Sequence, residues 1–186
     1  VAEAHPGRFA LALVGLVLAH AANNMINDYF DTAGGVDTEG YVRTEYAPHP
    51  IFSGLISKNG LIVAIVAVNL VDLAILAWFV RELGLGVAWF ALAGLFVSVF
   101  YVAPPFKLKH RGLGEPGVFL VWGPLMIGGT YYVTACHFAP WVLVASLPYA
   151  LLVTTVLIGK HCDKFDADSA KGIKTLPVLL GKERSL

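Results

Sequence analysis

The sequence predicts an all-α, multi-pass transmembrane helical bundle, and three observations support this fold class. Of the 186 residues, 57% are hydrophobic and 14% are charged, and the mean hydropathy is +0.70. These values lie outside the usual range of soluble globular domains. Five apolar runs are each about 20 residues long, the length that a helix needs to cross a bilayer. No alternation of period two competes with them, so strands are not expected.

The five predicted spans follow one another in a single domain over residues 1–186. They cover residues 9–27, 61–80, 83–102, 118–136 and 141–159. Aromatic side chains lie near several span ends, as in an interfacial belt: Trp78, Trp89, Tyr101, Tyr131, Tyr132 and Trp141. Because the chain begins with Val1 rather than Met, we expect a domain that is incomplete at both ends.

The loops between the spans predict the orientation in the membrane. By parity, the long polar segments 28–60, 103–117 and 160–186 fall on one face. All but two of the 13 Lys and Arg residues lie on that face, the exceptions being Arg8 and Arg81. Basic loops favour the cytoplasm, so we expect an inner or plasma membrane protein with these loops in the cytoplasm. The formal net charge of zero and the lack of a basic run argue against a nucleic-acid partner.

Two cysteines, Cys136 and Cys162, follow no metal-binding spacing. We expect both to be buried as small apolar side chains. Parity places them near opposite faces, roughly 30 Å apart, which excludes a disulfide between them.

A first acidic cluster ends the first span. Asn24, Asn27, Asp28 and Asp31 recur at helical spacing and share one face of a helix. Carboxylates are costly beside hydrocarbon, so a membrane protein that keeps them has a use for them. Carboxylate and amide oxygens are also the ligands that Mg²⁺ prefers. The alternative is a solvated helix end with an Asn or Asp cap.

A second acidic cluster, Asp163, Asp166 and Asp168, follows the fifth span. Asp163 and Asp166 share a helical face, whereas Asp168 lies roughly 140° around the axis from Asp163. Either the helix unwinds here or the three carboxylates do not all bind one ion. The alternative is an ordinary charged loop.

Basic residues follow the Pro104–Pro105 pair that ends the third span. Lys107, Lys109, His110 and Arg111 fall within five positions. A diphosphate carries more negative charge than one Mg²⁺ neutralises, and such side chains would complete the neutralisation. Arg43, after the first acidic cluster, could clamp phosphate oxygens in the same way. The alternative for these residues is to anchor the loops on one face.

One carboxylate, Asp72, lies in the middle of the second span rather than at an end. An ionisable group there should face a cavity or a polar partner, and we favour a hydrogen bond between helices.

Three ordered segments resemble the UbiA-type intramembrane aromatic prenyltransferases. They run from Asn27 to Thr38, from Pro104 to Glu115 and from Lys160 to Gly181. Much of this family has a third acid at the position that Gly35 occupies here, whereas this chain has Asp37 two residues later. This variant looks closest to the 1,4-dihydroxy-2-naphthoate branch of menaquinone biosynthesis. The resemblance implies a bundle of about nine transmembrane helices around a central cavity, of which five spans are visible here.

The resemblance also implies Mg²⁺ as cofactor. Polyprenyl diphosphate, a small aromatic acceptor and the lipid bilayer are the implied partners. The expected Mg²⁺ ligands are Asn24, Asn27, Asp28 and Asp31 for one ion, and Asp163 and Asp168 for a second. The residues expected at the diphosphate are Arg43, Lys107, Lys109 and Arg111. Those expected to be catalytic are Asp31, Asp163 and Lys107.

Other functions remain open at this point. Within the same family, the acceptor could be 4-hydroxybenzoate, haem or glycerol phosphate. From another class, a cation or phosphate transporter would place its acids at mid-membrane along a pore, whereas both clusters here lie at span ends. A membrane scaffold without activity would tolerate substitution across both clusters.

Overall fold

The computed structural model describes residues 4–42, 44 and 47–185, and its regular structure is helical. Seven helices are named here: α1 Pro6–Ala33, α2 Lys58–Leu83, α3 Gly86–Phe100, α4 Gly114–Ala135, α5 Trp141–Asp163, α6 Phe165–Ala170 and α7 Leu176–Leu180. Short 3₁₀ turns cover Leu108–His110 and Lys182–Arg184. No strand occurs within the described ranges, which confirms the predicted fold class.

Four helices, α1, α2, α4 and α5, are long and apolar enough to cross a membrane. Each of the five predicted spans corresponds to a helix, and the chain is a multi-pass membrane protein. The third helix, α3, has 15 residues and is shorter than the predicted segment 83–102. Its start is delayed because Gly84, with a φ of 83°, turns the chain after α2.

The helices pack around a small apolar core at the end remote from the acidic clusters. Phe79 of α2, Val87 of α3 and Val133 of α4 are buried together there, and Leu11 of α1 packs against them. Burial of these side chains fixes the four helices relative to one another, since each supplies one contact surface.

The middle of α4 lies directly against α5. A Cβ on Gly123 would come within 2.5 Å of the Cβ of Ala150, so only glycine permits this approach. The next residue, Pro124, lies inside a π-helical segment, Val121–Leu125. Proline lacks the N–H that an α-helix needs, and the wider turn accommodates that loss. The close approach brings the start of α4 beside the end of α5.

The two cysteines are free and only one is buried. Cys162 is buried near the end of α5, as expected. The expectation for Cys136 is wrong, because this residue is exposed and ends α4 in a left-handed conformation with a φ of 60°. Its sulfur accepts a hydrogen bond from the Arg8 guanidinium.

Candidate active site

Polar side chains from three separate parts of the chain line one cavity. They come from the end of α1, the loop between α3 and α4, and the end of α5. The cavity has a volume of about 190 Å³. The lining residues are Asn24, Asn27, Asp28, Asp31, Asp37, Tyr101, Lys109, Leu157, Lys160, His161 and Lys164. The polar lining lies at the ends of apolar helices, where water and lipid-soluble groups can both reach.

The last three turns of α1 carry the first acidic cluster. All four predicted ligands, Asn24, Asn27, Asp28 and Asp31, line the cavity. The backbone carbonyl of Asp31 accepts N–H groups from Val36 at 2.8 Å and from Asp37 at 3.0 Å. This turn folds the chain back over the helix end, which brings Asp37 into the same cavity.

A buried ion pair joins the first cluster to the basic loop. The Lys109 ammonium lies 2.8 Å from Oδ2 of Asp31, and the two residues are 5% and 8% exposed. The 3₁₀ turn Leu108–His110 positions this lysine, and its N–H donates to the carbonyl of Tyr101. Lys109 therefore compensates a carboxylate that burial would otherwise destabilise.

The donor set in this cavity suits a hard cation. Oδ1 of Asn27 is buried and finds no hydrogen-bond partner among the described residues. A buried amide oxygen without a partner is costly, and a metal ion bound there would satisfy it. Together with the neighbouring carboxylates, it offers the oxygen ligands that Mg²⁺ prefers.

A histidine supports the acidic cluster from the following loop. Nε2 of His49 lies 3.4 Å from Oδ2 of Asp37 and 3.9 Å from Oδ1 of Asp28. The N–H of Ile51 donates to Nδ1 of the same ring, so Nε2 carries the proton and points at the carboxylates. One side-chain oxygen or nitrogen from each of His49, Asp28 and Asp37 lies within 4.8 Å of the others. With Nε2 protonated, His49 faces the two carboxylates as a donor and does not bind a metal through that atom. No spacing in the sequence pointed to His49.

Two further lysines reach the cavity from the end of α5. Lys160 and Lys164 line it together with Lys109. Burial lowers the pKa of Lys164, and the charge of Lys109 lowers it further, although nearby carboxylates act in the opposite sense. The carboxylates therefore compensate the positive charge of Lys164 only in part, and an anionic ligand beside Lys164 is favoured. Lys160 and Lys164 are four residues apart beside the second acidic cluster, and this spacing is the sequence pattern that could have identified them.

The other predicted cations that the structure describes lie outside the cavity lining. Lys107 is half-buried, and exposed Arg111 donates to the carbonyl of Pro105 at 3.0 Å. Burial and then the charge of Lys109 lower the pKa of His110, so His110 adds little positive charge near neutral pH. Arg43 lies outside the described residues.

The helix does break at the second acidic cluster. α5 ends at Asp163, Lys164 interrupts the helix, and α6 begins at Phe165. None of the three carboxylates is among the residues that line the cavity. Asp163 and Asp166 are exposed, whereas Asp168 is fully buried. The break leaves Asp163 at the end of α5 and places Asp166 and Asp168 together in α6.

Tyr41 holds the buried carboxylate. Its hydroxyl donates to Oδ1 of Asp168 at 2.5 Å, and Oδ2 has no hydrogen-bond partner within the described part of the chain. Burial raises the pKa of Tyr41, and the hydrogen bond to Asp168 raises it further. The phenol therefore stays protonated and remains a donor across the neutral range.

A small apolar cluster surrounds this hydrogen bond. Val36, Tyr41 and Ile173 are buried together. The ammonium of Lys171 lies 4.3 Å from the centre of the Tyr41 ring and donates to the carbonyl of Val36. The segment after the first acidic cluster thus packs directly on the segment after the second.

A comparison with models of protein families identifies the family of this chain. The UbiA prenyltransferase family model matches residues 2–186. The chain belongs to the UbiA prenyltransferase family. The resemblance found in the three sequence segments is thereby confirmed.

Relatives within the UbiA family have several activities. One is the 2-carboxy-1,4-naphthoquinone phytyltransferase of Synechocystis sp., 29% identical over 95% of this chain and 56% of the relative. Another is the digeranylgeranylglyceryl phosphate synthase of Natronomonas pharaonis, 31% identical over 97% of this chain and 60% of the relative. A third is the 1,4-dihydroxy-2-naphthoate octaprenyltransferase of Escherichia coli, 28% identical over 92% of this chain and 57% of the relative. The chain thus spans little more than half the length of these relatives. No solved structure gives a significant match.

A second buried pair borders the cavity in this UbiA-family chain. Nδ1 of His161 lies 2.6 Å from Oε1 of Glu115, and each residue is 1% exposed. The N–H of Leu176 donates to the same oxygen at 3.0 Å. Glu115 therefore connects the start of α4, the end of α5 and the start of α7. No local spacing indicated this pair, because the two residues are 46 positions apart.

The mid-span carboxylate Asp72 faces α1. Oδ1 of Asp72 would lie 3.6 Å from a Cβ on Gly15. This atom is buried and has no hydrogen-bond partner in the described ranges. The expected hydrogen bond between helices is therefore not formed by Oδ1 within those ranges.

Proposed function

We propose that this chain carries the diphosphate-binding part of a prenyltransferase. The reaction is Mg²⁺-dependent transfer of a polyprenyl group from polyprenyl diphosphate to an aromatic acceptor. The observation that carries the proposal is the convergence of four oxygen-bearing side chains of α1 with Lys109, Lys160 and Lys164 in one cavity. Carboxylates for a metal and cations for phosphate oxygens meet where apolar helices end.

The oxygen donors define the proposed metal ligands. Asn24, Asn27, Asp28 and Asp31 would hold one Mg²⁺ ion. Asp168, with its unpartnered oxygen, and Asp163 would hold a second. When bound, Mg²⁺ neutralises charge on the diphosphate and makes it a better leaving group. The assignment of Asp163 stays a prediction, because its side chain is exposed outside the cavity lining.

The lysines complete the charge balance in this proposal. Lys160 and Lys164 contact diphosphate oxygens, and Lys109 both approaches them and keeps Asp31 in place. Charge that develops on the departing diphosphate is stabilised by these fixed cations. The roles assigned to Lys107 and Arg111 stay predictions, because neither lines the cavity. The role of Arg43 also stays a prediction, because Arg43 is not among the described residues.

The proposed transfer breaks one bond and forms one. The bond between the allylic carbon and oxygen breaks, and its electron pair leaves with the diphosphate. An electron-rich ring carbon of the acceptor bonds to the allylic cation and then loses its proton to a basic group. Apolar helix faces, including Leu157 at the cavity, exclude water that would otherwise capture the cation.

We infer that the acceptor is 1,4-dihydroxy-2-naphthoate. The names of the Synechocystis and Escherichia coli relatives describe transfer to naphthoquinone or naphthoate acceptors. The Natronomonas relative is a digeranylgeranylglyceryl phosphate synthase, which makes a glycerol phosphate the second candidate acceptor. In either case the proposed site faces the cytoplasm from the cell membrane.

The proposal is tested with the full-length protein in liposomes and radiolabelled polyprenyl diphosphate. Transfer to 1,4-dihydroxy-2-naphthoate, glycerol phosphate and 4-hydroxybenzoate is compared. We expect transfer to the naphthoate, its loss with EDTA, and a fall of about 10²-fold or more in Asp31→Ala. Wild-type turnover in Asp31→Ala or in EDTA would refute the mechanism. Cation flux without transfer would favour a transporter.

The second metal site has its own test. Binding of Mn²⁺, as a paramagnetic substitute for Mg²⁺, is titrated in Asp168→Asn, Asp163→Asn and Asp166→Asn. We expect weaker binding in Asp168→Asn, since that carboxylate is buried with one oxygen unpartnered. Asp166→Asn is the matched exposed control. If Asp163→Asn binds like this control, Asp163 is not a ligand.

A further inference from the structure

The face of α1 that bears the proposed metal ligands carries one more polar side chain deeper in the helix. His20 precedes Asn24 by four residues and Asp31 by eleven. At 100° per residue, these three side chains lie within roughly 40° of one another around the helix axis. The rise of an α-helix places His20 about 6 Å further from the helix end than Asn24.

This histidine is exposed although it lies in the middle of a membrane-spanning helix. An ionisable side chain in a span normally faces a cavity or a polar partner rather than lipid. Nε2 of His20 lies 3.4 Å from Nδ2 of Asn24, which lines the charged cavity. The ring therefore lies one helical turn beyond the polar lining of the cavity and contacts that lining through Asn24.

An aromatic side chain of α4 meets this ring. The ring centroids of His20 and Trp122 are 5.2 Å apart with an interplanar angle of 76°, an edge-on arrangement. Trp122 belongs to the π-helical segment Val121–Leu125. Single turns of π-helix occur frequently at functional sites, because they redirect a side chain that a regular helix would place elsewhere.

We propose that His20 and Trp122 form the subsite for the ring of the aromatic acceptor, an inference that rests on the proposed function. The indole supplies an apolar face for a fused aromatic ring. The imidazole hydrogen-bonds to a hydroxyl or carboxylate substituent of that ring. The subsite lies one turn below Asn24, the nearest of the proposed metal ligands, so a ring bound there would be close to the allylic carbon of a metal-bound prenyl diphosphate.

The prenyl tail is a poorer occupant of this position. It is a hydrocarbon, so an imidazole beside it would lose water and gain no hydrogen bond. A hydroxylated ring restores that hydrogen bond and also has the shape that packs against indole. The same polar requirement explains why a histidine, rather than an apolar residue, occupies this depth of α1.

Equilibrium binding tests the subsite without turnover. The full-length protein in detergent is titrated with 1-hydroxy-2-naphthoate, and tryptophan fluorescence is followed. We expect His20→Ala to weaken binding about tenfold and His20→Gln to restore part of it, since an amide still hydrogen-bonds. Trp122→Phe should remove most of the quenching. With 2-methylnaphthalene, which lacks polar substituents, His20→Ala should bind like wild type.

The matched control is a second histidine with an aromatic neighbour. His137 is exposed beyond the opposite end of α4, and its ring lies 5.4 Å from that of Tyr131. His137→Ala should leave both binding and transfer unchanged. Trp89→Phe, at a residue that is 76% exposed, controls for the loss of one tryptophan.

Steady-state kinetics separate this subsite from the diphosphate site. In His20→Ala the KM for the acceptor should rise about tenfold, while the KM for the prenyl diphosphate stays within about twofold. A parallel rise of both constants, or unchanged binding of 1-hydroxy-2-naphthoate, would overturn the inference. If wild-type protein transfers a prenyl group to no acceptor, the proposed function fails instead.

Discussion

Lys109 is the residue on which the charge balance of the cavity depends most directly. Its ammonium lies 2.8 Å from the Asp31 carboxylate, and both side chains are almost fully buried. Coulomb attraction at this distance is strong only because water is excluded. The desolvation of two charges opposes it, so the pair stabilises less than its geometry suggests.

Removing one partner of this pair should lower the free energy of unfolding by more than the intact pair contributes to it. We expect Lys109→Met to lower the free energy of unfolding by about 3–5 kcal/mol, because Asp31 would remain buried and charged without compensation. Thermal unfolding of the full-length protein in detergent measures this change. Exposed Lys58, at the start of α2, provides the matched control Lys58→Met. Equal unfolding midpoints for the two variants would contradict the expectation.

Among the elements, the contact between the two acidic segments positions Asp168, the buried carboxylate of the proposed second metal site. Tyr41 and Asp168 lie 127 residues apart in the sequence, and their hydrogen bond is buried against Val36 and Ile173. Lys171 adds a cation–π contact on the Tyr41 ring. Together these contacts hold the segment after α1 against α6.

Loss of the Tyr41 hydroxyl tests this contact. In Tyr41→Phe we expect the free energy of unfolding to fall by about 1.5–3 kcal/mol, the range for a hydrogen bond to a charged group. Mn²⁺ affinity should fall as well, because Asp168 would lose the group that orients it. Tyr149→Phe, at an exposed tyrosine of α5, is the control. A variant that unfolds earlier but binds Mn²⁺ like wild type would show a purely structural role.

The helices were predictable from the sequence and most of the side-chain pairings were not. An apolar run of membrane-spanning length has no alternative to a helix, because every backbone group must be satisfied within the segment. The stripe on α1 followed from helical spacing alone. The sequence alone could not distinguish Asp168 from the other carboxylates of the second acidic cluster, since its burial depends on a break at Lys164 and on the distant residue Tyr41. Glu115 and His161 likewise meet only after α4 packs on α5.

At the scale of the whole molecule, the charged cavity lies at one end of the helices and the small apolar core lies toward the other. The cavity is lined by the ends of α1 and α5 and by the loop between α3 and α4, whereas α4 ends at the opposite side. α4 has 22 residues and is therefore about 33 Å long, enough to cross the bilayer. Cys136 at its end and Cys162 beside the cavity therefore mark the two sides.

These cysteines allow the orientation to be measured. The bias of basic residues predicts that the cavity faces the cytoplasm, which places exposed Cys136 on the outer side and buried Cys162 on the inner side. A membrane-impermeant maleimide should therefore label Cys136 of the full-length protein in spheroplasts, and Cys136→Ser should remove the label from the peptide that contains this position. In sealed inside-out vesicles neither Cys136 nor Cys162 should react, because Cys136 is then enclosed and Cys162 is buried. An added cysteine at exposed Lys182 should react there and not in spheroplasts. The reverse pattern would mean that the diphosphate site opens to the outside, where a cytoplasmic prenyl diphosphate could not reach it.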